Sequence, residues 1–344
     1  MKTSKMQNFR KLWWKNICIM GALLLVIWFI SLIFFPSYNQ GSVEVLIPQG
    51  ADSLRIAKIL SQHQLIKSPF LFILLSKIFN WEKDLKAGKY ELTSPTLIEV
   101  LHQLRKGQIK IYRVTIPEGL PKWEVAKILD SKGAVKEDIF LRLIDNPQIF
   151  KEDHTFSLPK EGLEGYLYPD TYYFTRNENP QEVVKKFLVR FEEVVGPLYE
   201  NWRGNHHLSL EEVITLASIV EKEARVSSEK PIIAAVFYNR LRKGLRLRAD
   251  PTVKYALGSF RERLTLNELK TPSSYNTYLY HGLPPGPICS PGKDSIYAVL
   301  YPAKVDYLYF VAKGNGIHQF SQTYEQHLKA VSRYQKGQVN DSLP

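Results

Sequence analysis

The chain has 344 residues, 44% of them hydrophobic and 23% charged, the ordinary mix of a folded protein, and carries a formal net charge of +12 at pH 7. Cys18 and Cys289 are its only cysteines, one inside a long apolar run and one far beyond it, so an intrachain disulfide, a thiolate zinc site and a dithiol redox centre are excluded. The eight histidines form no close ligand spacing, and no phosphate-binding glycine loop is present; no metal, cofactor or nucleic acid is expected as a partner.

Residues 17–35 run without a charge, interrupted in their apolar character only by Cys18, Gly21 and Ser31. At about 1.5 Å per residue such a run just crosses a ~30 Å hydrocarbon core. Lys2, Lys5, Arg10, Lys11 and Lys15 precede it with no acidic residue. That asymmetry keeps residues 1–16 as a cytoplasmic tail and sends everything after Pro36 outside. A cleaved signal peptide would end in a small-x-small site, and Phe34-Phe35-Pro36-Ser37-Tyr38 offers none. A buried core helix is the plainer alternative, disfavoured by the length, the lack of charge and the basic flank. With five positive charges in the tail, a surplus of seven remains outside. It suits an anionic partner such as cell-wall polymer or lipid headgroups, although a surplus of that size often serves only solubility.

About 305 residues follow the anchor, enough for two domains. An internal echo marks their beginnings: Val45-Leu46-Ile47-Pro48-Gln49-Gly50 with Ile56-Ala57-Lys58-Ile59-Leu60 returns 69 residues later as Val114-Thr115-Ile116-Pro117-Glu118-Gly119 with Val125-Ala126-Lys127-Ile128-Leu129. Each copy reads as a short strand, a Pro-x-Gly turn and an amphipathic helix; in the first, Leu54, Ile56, Ala57, Ile59 and Leu60 form the expected buried stripe. A second helix is expected at 69–79, a strand at 88–92 and a helix at 96–106. This strand-helix-helix-strand pattern over residues 43–111 resembles the LysM-like module of cell-wall proteins.

The second copy opens a larger region, 112–335. Helices are expected at 122–131, 136–145, 180–195, 209–224, 229–243 and 321–335, strands at 172–174 and 306–312, giving an α+β chain overall. The segment 271–292 is rich in proline and glycine yet carries Tyr275, Tyr278, Leu279, Tyr280, Leu283 and Ile288, an ordered functional loop by that composition. Residues 336–344 read as a flexible tail.

Chemistry is concentrated in four places. The helix at 209–224 is apolar on most sides and ends in Glu221-Lys222-Glu223. A glutamate ending a buried helix meets a cleft wall, where desolvation raises its pKa and suits it to general acid work. Glu221 and Glu223 point about 200° apart, so only one of them can serve a given atom; both being solvated end residues is the bland alternative. The run Glu161 to Phe174 sets aromatics among carboxylates, suited to stacking on sugar rings or equally to a strand with core tyrosines. Phe237-Tyr238-Asn239-Arg240-Leu241 with Arg248-Ala249-Asp250-Pro251-Thr252, and Tyr275-Asn276-Thr277-Tyr278 leading into Gly282-Leu283-Pro284-Pro285-Gly286, add polar groups near turns, where they often serve only as caps.

Four of these blocks, in this order, resemble the MltG (YceG-like) family of membrane-anchored endolytic lytic transglycosylases: Glu164-Gly165-Tyr166 through Pro169-Asp170-Thr171-Tyr172, Ala217 through Glu223, Asp250-Pro251-Thr252, and Tyr275-Asn276-Thr277-Tyr278 through Gly286. The resemblance covers about residues 112–330 and, more loosely, the LysM-like region. It implies that Glu223 is the catalytic residue, a choice periodicity cannot make, with Glu164, Asn239, Asp250, Thr252, Tyr275 and Asn276 binding substrate. The implied reaction cuts the bond between N-acetylmuramic acid and N-acetylglucosamine in peptidoglycan, leaving 1,6-anhydro ends. The implied partners are peptidoglycan strands, membrane lipid around one helix, and peptidoglycan synthases or division proteins. The implied location is the bacterial cytoplasmic (inner) membrane, single-pass, with the catalytic domain extracytoplasmic. Rival readings are a water-using muramidase, with Asp250 or Glu164 as second carboxylate, and a non-catalytic wall-binding scaffold. Two departures stand out: Ala249 replaces the family's usual Ser or Thr, and Arg248 stands where Gln is frequent. Cys289 reads as structural.

Overall fold

The computed structural model describes residues 41–334 apart from 94, 108–110, 154–155, 176–177, 204–207, 262 and 315, together with scattered positions between 20 and 34. The expected cytoplasmic tail (1–16) and flexible tail (336–344) lie outside the described residues, as does about half of the expected membrane span (17–35). The described positions in that span are helical and mostly exposed. No helix among the described residues is long and apolar enough to cross a membrane. The chain separates into two compact units, Met1–Ile111 and Tyr112–Pro344.

The first unit runs β1 (Ser42–Ile47), α1 (Ser53–Gln62), α2 (Pro69–Ile78), β2 (Gly88–Thr93) and α3 (Leu97–Lys106). Each helix starts at a side-chain cap: Asp52 accepts from Arg55 N, Ser68 accepts from Leu71 N just before Pro69, and Thr96 and Glu99 bond reciprocally. β1 and β2 pair antiparallel, with Val45 opposite Tyr90. Ile56, Ala57 and Leu60 of α1 are buried beneath them together with Phe72 and Leu101. Leu54 is not part of that stripe: it is exposed, because two residues of helix turn it about 200° away from Ile56.

The second unit is mostly helical. Its elements are β3 (Ile111–Thr115), α4 (Lys122–Ser131), α5 (Glu137–Ile144), β4 (Thr171–Thr175), α6 (Pro180–Arg203), α7 (Leu210–Glu223), α8 (Lys230–Arg242), α9 (Asp250–Ala256), α10 (Lys293–Leu300), β5 (Tyr309–Ala312), β6 (His318–Ser321) and α11 (Tyr324–Tyr334). β3 pairs with β4, and β5 with β6 in an antiparallel hairpin. Helix α7 is the centre of the unit, with every residue from Val213 to Val220 buried and α8, α9 and α10 packed around it. The echo has a physical basis, since Val125, Ala126 and Leu129 of α4 are buried as Ile56, Ala57 and Leu60 are in α1. The turns before the two helices carry Gly50 at φ +73 and Gly119 at φ +78, a left-handed backbone that glycine adopts without steric cost.

Several expected bounds move. α6 continues eight residues past Val195 and through Pro197, its apolar face still buried at Trp202, so the packing outweighs the lost backbone bond. Ser321 belongs to β6 and not to the last helix, and the strand expected from 306 starts at Tyr309. α9, α10 and β6 were not expected as elements. The aromatic run also resolves toward packing. Tyr166, Tyr168, Tyr172 and Phe174 are buried, Tyr172 against Phe187 (4.3 Å between ring centres) and Tyr166 against Phe191 (4.7 Å). They are core residues and form no platform for sugar.

Gly165, at φ +83, lies so close to the Pro287 ring that a Cβ would meet its carbons at 2.5 and 2.6 Å and Ile214 Cγ2 at 2.9 Å. Gly165→Ala should therefore cost ~3 kcal/mol through strain and overpacking. A denaturant midpoint equal to that of the parent protein would show that the 165–287 contact yields freely.

Candidate functional site

The end of α7 distributes three side chains among three tasks. Glu221 Oε2 accepts hydrogen bonds from Gly292 N (3.0 Å), Ser295 Oγ (2.5 Å) and Lys230 Nζ (3.2 Å). It thereby serves the N-terminus of α10, whose own cap residue Gly292 has no side chain to offer. Lys222 Nζ donates to Gly119 O (3.1 Å) and lies 4.1 Å from the centre of the Phe260 ring. Glu223, turned about 200° from Glu221, accepts no hydrogen bond from another described residue. It reaches instead into a cavity of about 910 Å³. Ala224 leaves helical geometry directly after it, at ψ 124°.

That cavity is lined by Glu223, Arg240 from α8, the segment 245–248, Asp250 at the start of α9, Tyr278 and His281, the β5–β6 hairpin at Tyr309–Ala312 and His318, and the face of α11 carrying Tyr324 and His327. Glu223 keeps partial access to solvent, yet protein surrounds it closely. Burial, reinforced by the nearby negative charge of Asp250 and opposed by Lys254 and Arg240, pushes its carboxyl up to about 8. A group held neutral at pH 7 beside an open cavity can donate a proton to a bound oxygen and take one back.

Asp250 is placed by a small latch. Thr252 Oγ1 donates to Ala249 O (2.7 Å) and contacts Thr277 Oγ1 (2.9 Å), while Ala249 N donates to Thr277 Oγ1 (3.0 Å) and Arg248 N to Thr277 O (3.1 Å). With the two segments locked together, Tyr278 Oη donates to Asp250 Oδ1 at 2.5 Å. Beside the carboxylate, burial pushes the Tyr278 phenol far up.

Of the residues expected to bind substrate, only Asp250 lines this cavity together with Glu223. Glu164 is buried, its carboxylate accepting from Lys122 N (3.0 and 3.1 Å) and Tyr255 Oη (3.1 Å). It fills the capping role that Pro121 cannot play for α4, and burial pushes it up to about 7 against those bonds. Asn239 donates to Val305 O (2.8 Å) and Tyr307 O (2.9 Å), tying the chain before β5 to α8. Asn276, fully buried, donates to Leu269 O and Thr271 O and accepts from Tyr278 N. Tyr275 packs on Tyr255, 4.8 Å between ring centres, and Thr252 is the latch already described. These five side chains build the frame and do not face the cavity. Arg240 and Tyr278, which do, sit within sequence blocks that invited attention. The far wall from Tyr309 to His327 has no local sequence signal, because only the return of β5, β6 and α11 onto α8 creates it. Cys289 is buried, its Sγ 3.4 Å from Ser218 O, and burial pushes its thiol well up. Among the described residues no group of acidic, histidine and cysteine side chains could hold a metal ion.

Residues 45–333 match the YceG-like family. The chain belongs to the YceG-like family. This YceG-like protein is 33% identical over 309 residues to a Bacillus subtilis (strain 168) protein named endolytic murein transglycosylase, covering 86% of each chain. A Streptococcus pneumoniae (strain D39) protein of the same name is 29% identical over 347 residues, covering 90% of this chain and 61% of its relative. The 2.6 Å crystal structure of a yceG-like protein from Listeria monocytogenes superposes with a TM-score of 0.59 at 33% identity, over 85% of this chain and 99% of that one.

The raised Glu223 carboxyl has a consequence for stability. A folded chain holds this proton up to about pH 8, whereas an exposed glutamate releases it near 4.5. Between those values the folded state binds more protons, so this group's contribution declines as pH rises. Glu223→Gln should therefore melt at the same temperature as the parent below pH 4, and higher by a margin that grows to a plateau above pH 8, in thermal scans across that range. Equal melting temperatures at pH 9 would contradict the raised value.

Proposed function

We propose that this protein is an endolytic murein transglycosylase in which Glu223 is the one acid and base. The observation that carries the reading is a carboxyl with no hydrogen bond to another described residue, pushed up to about 8 at the edge of a large cavity, in a family whose relatives bear that name. Glu223 protonates the glycosidic oxygen between an N-acetylmuramic acid and the next N-acetylglucosamine, and the C1–O bond breaks to leave an oxocarbenium-like C1. The C6 hydroxyl of the same muramic residue attacks C1, its proton passes to the carboxylate of Glu223, and a 1,6-anhydro end results with the acid restored. Asp250, held by Tyr278, lies where its charge stabilises the positive transition state.

A second reading has its own support. Asp250 shares the cavity with Glu223, and a water between two carboxylates gives hydrolysis instead. Glu164 does not compete for that role, being buried as a helix cap. The two reactions differ in product mass, since the hydrolytic product is heavier by one water and carries a reducing end. With isolated peptidoglycan we expect anhydro ends from the parent protein, activity that falls as pH rises through about 8, the pKa of Glu223, and no new ends from Glu223→Gln. Full activity in that variant would remove Glu223 from the mechanism.

The segment 43–111 serves as a LysM-like module, supported by its β1-α1-α2-β2 order, and residues 17–35 as a single membrane anchor that leaves the catalytic unit extracytoplasmic. Only six residues, 36–41, link that span to β1, so the start of β1 stays within ~25 Å of the bilayer and the reaction falls on strands close to the membrane. Removing residues 1–35 should leave cleavage of soluble glycan intact but fail to restore wall growth in cells lacking the gene. Restoration by the truncated protein would assign the apolar segment to delivery alone.

A further inference from the structure

The cavity is larger than one acid and one sugar bond require, and one part of its wall is cationic in a particular way. Arg240 is engaged, donating through Nε to Leu308 O at 2.7 Å and through Nη1 to Leu247 O. His318 is bonded to Glu229 and His281 to Gly244 O. Arg246 and Arg248 differ: both are exposed and line the cavity, and neither guanidinium has a hydrogen bond or ion pair to another described residue. Exposed arginines are common, but these two are held in a particular geometry. Along residues 246–250 the chain alternates, Leu247 and Ala249 being buried while Arg246, Arg248 and Asp250 line the cavity. All three therefore belong to one stretch of the cavity wall. Arg248 holds φ +47, a backbone that disfavours any residue with a Cβ. The latch to Thr277 enforces it through Arg248 N and Ala249 N. Backbone strain sustained by surrounding bonds, at a side chain facing a cavity, marks a residue set in place for a ligand. The two arginines also leave Glu223 alone: the charges acting on its carboxyl are Asp250, Lys254 and Arg240.

We propose that Arg246 and Arg248 form an anion subsite that binds a carboxylate of the muramic acid residue next to the scissile bond, through the forked donor geometry that suits carboxylates. This rests on murein being the substrate. The sugars themselves are uncharged, so the carboxylate comes either from the stem peptide or, in stripped strands, from the lactyl group. Asp250, two residues from Arg248, favours positive charge at the sugar, while the arginines favour the negative substituent beside it; together they set the register of the strand across Glu223.

The test uses the full chain in detergent, in a Glu223→Gln background so that binding is read without cleavage. Soluble glycan oligomers are prepared in three forms: with stem peptides, stripped to the lactyl carboxylate, and stripped with that carboxylate blocked as an amide. Binding of one or both charged forms should be about tenfold tighter than of the blocked form, an advantage that shrinks with added salt. Adding Arg246→Gln and Arg248→Gln should abolish the advantage while leaving the blocked form's affinity unchanged, and Arg248→Lys should keep part of it. Preference for the stem-bearing form names the peptide carboxylates as the source, preference for the stripped form names the lactyl carboxylate, which a stem peptide ties up as an amide, and equal binding of both shows that either carboxylate fills the subsite. Equal affinity for all three forms in the Glu223→Gln parent, or the same advantage retained in the arginine variants, would overturn the subsite. Should the double variant fail to show a cooperative unfolding transition, Arg246→Gln alone carries the comparison, since that guanidinium has no hydrogen bond or ion pair to another described residue. Absence of new chain ends from the native protein, with carboxylate-dependent binding intact, would sink the catalytic reading and leave this one standing.

Discussion

The bonds that Glu221 accepts from Gly292 and Ser295 at the N-terminus of α10 and from Lys230 at the start of α8 hold the end of α7 where it is, and the site depends on that hold. The ion pair with Lys230 is nearly buried on both sides, a setting in which loss of one partner strands a charge. Gly292 N and Ser295 Oγ add hydrogen bonds to the same oxygen, which share its charge and make the burial tolerable. Because a helix turns 100° per residue, fixing Glu221 against α10 also fixes Lys222 over Phe260 and aims Glu223 into the cavity. One acid of the pair is spent on structure so that the other can be left without a partner.

Burial raises the pKa of several glutamates in the second unit, and most strongly those of Glu164, to about 7, and Glu223, to about 8. Their roles differ because their partners differ. Glu164 is saturated by Lys122 N and Tyr255 Oη, and its proton faces no open space. Glu223 has a cavity in front of it and a neighbouring Asp250 that further disfavours ionisation. A perturbed carboxyl becomes a candidate for chemistry only when geometry gives it something to react with.

The same economy runs through the polar motifs. Asn239, Thr252, Asn276 and Thr277 spend their hydrogen bonds on backbone groups and on each other, and these bonds bring α8, α9, the 271–292 loop and the β5–β6 hairpin around one space. Their identity matters because each satisfies buried polar groups that would otherwise be costly. What they deliver to the cavity are the residues beside them: Arg240 next to Asn239, Asp250 two residues before Thr252, Tyr278 two residues after Asn276.

By itself the sequence determined most of the local structure and the family. Helical spacing of apolar residues put α2 to α5, α7 and α8 nearly at their observed bounds, since amphipathicity acts over a few residues. The 69-residue echo stood for two real strand-turn-helix units. Local rules failed where tertiary packing outweighed them, as in α6 running through Pro197 and Leu54 turning outward. α9 and α10, at seven and eight residues, take their ends from the latch and from Glu221. The site divides along the same line. Composition placed a glutamate at the end of a buried helix, but whether Glu221 or Glu223 faced the cavity depended on α10, more than seventy residues away. Whether Glu164 touched ligand or frame depended on Lys122 and Tyr255, 42 and 91 residues away, because a hydrogen-bonding side chain has no fixed role until the fold decides which donors and acceptors surround it.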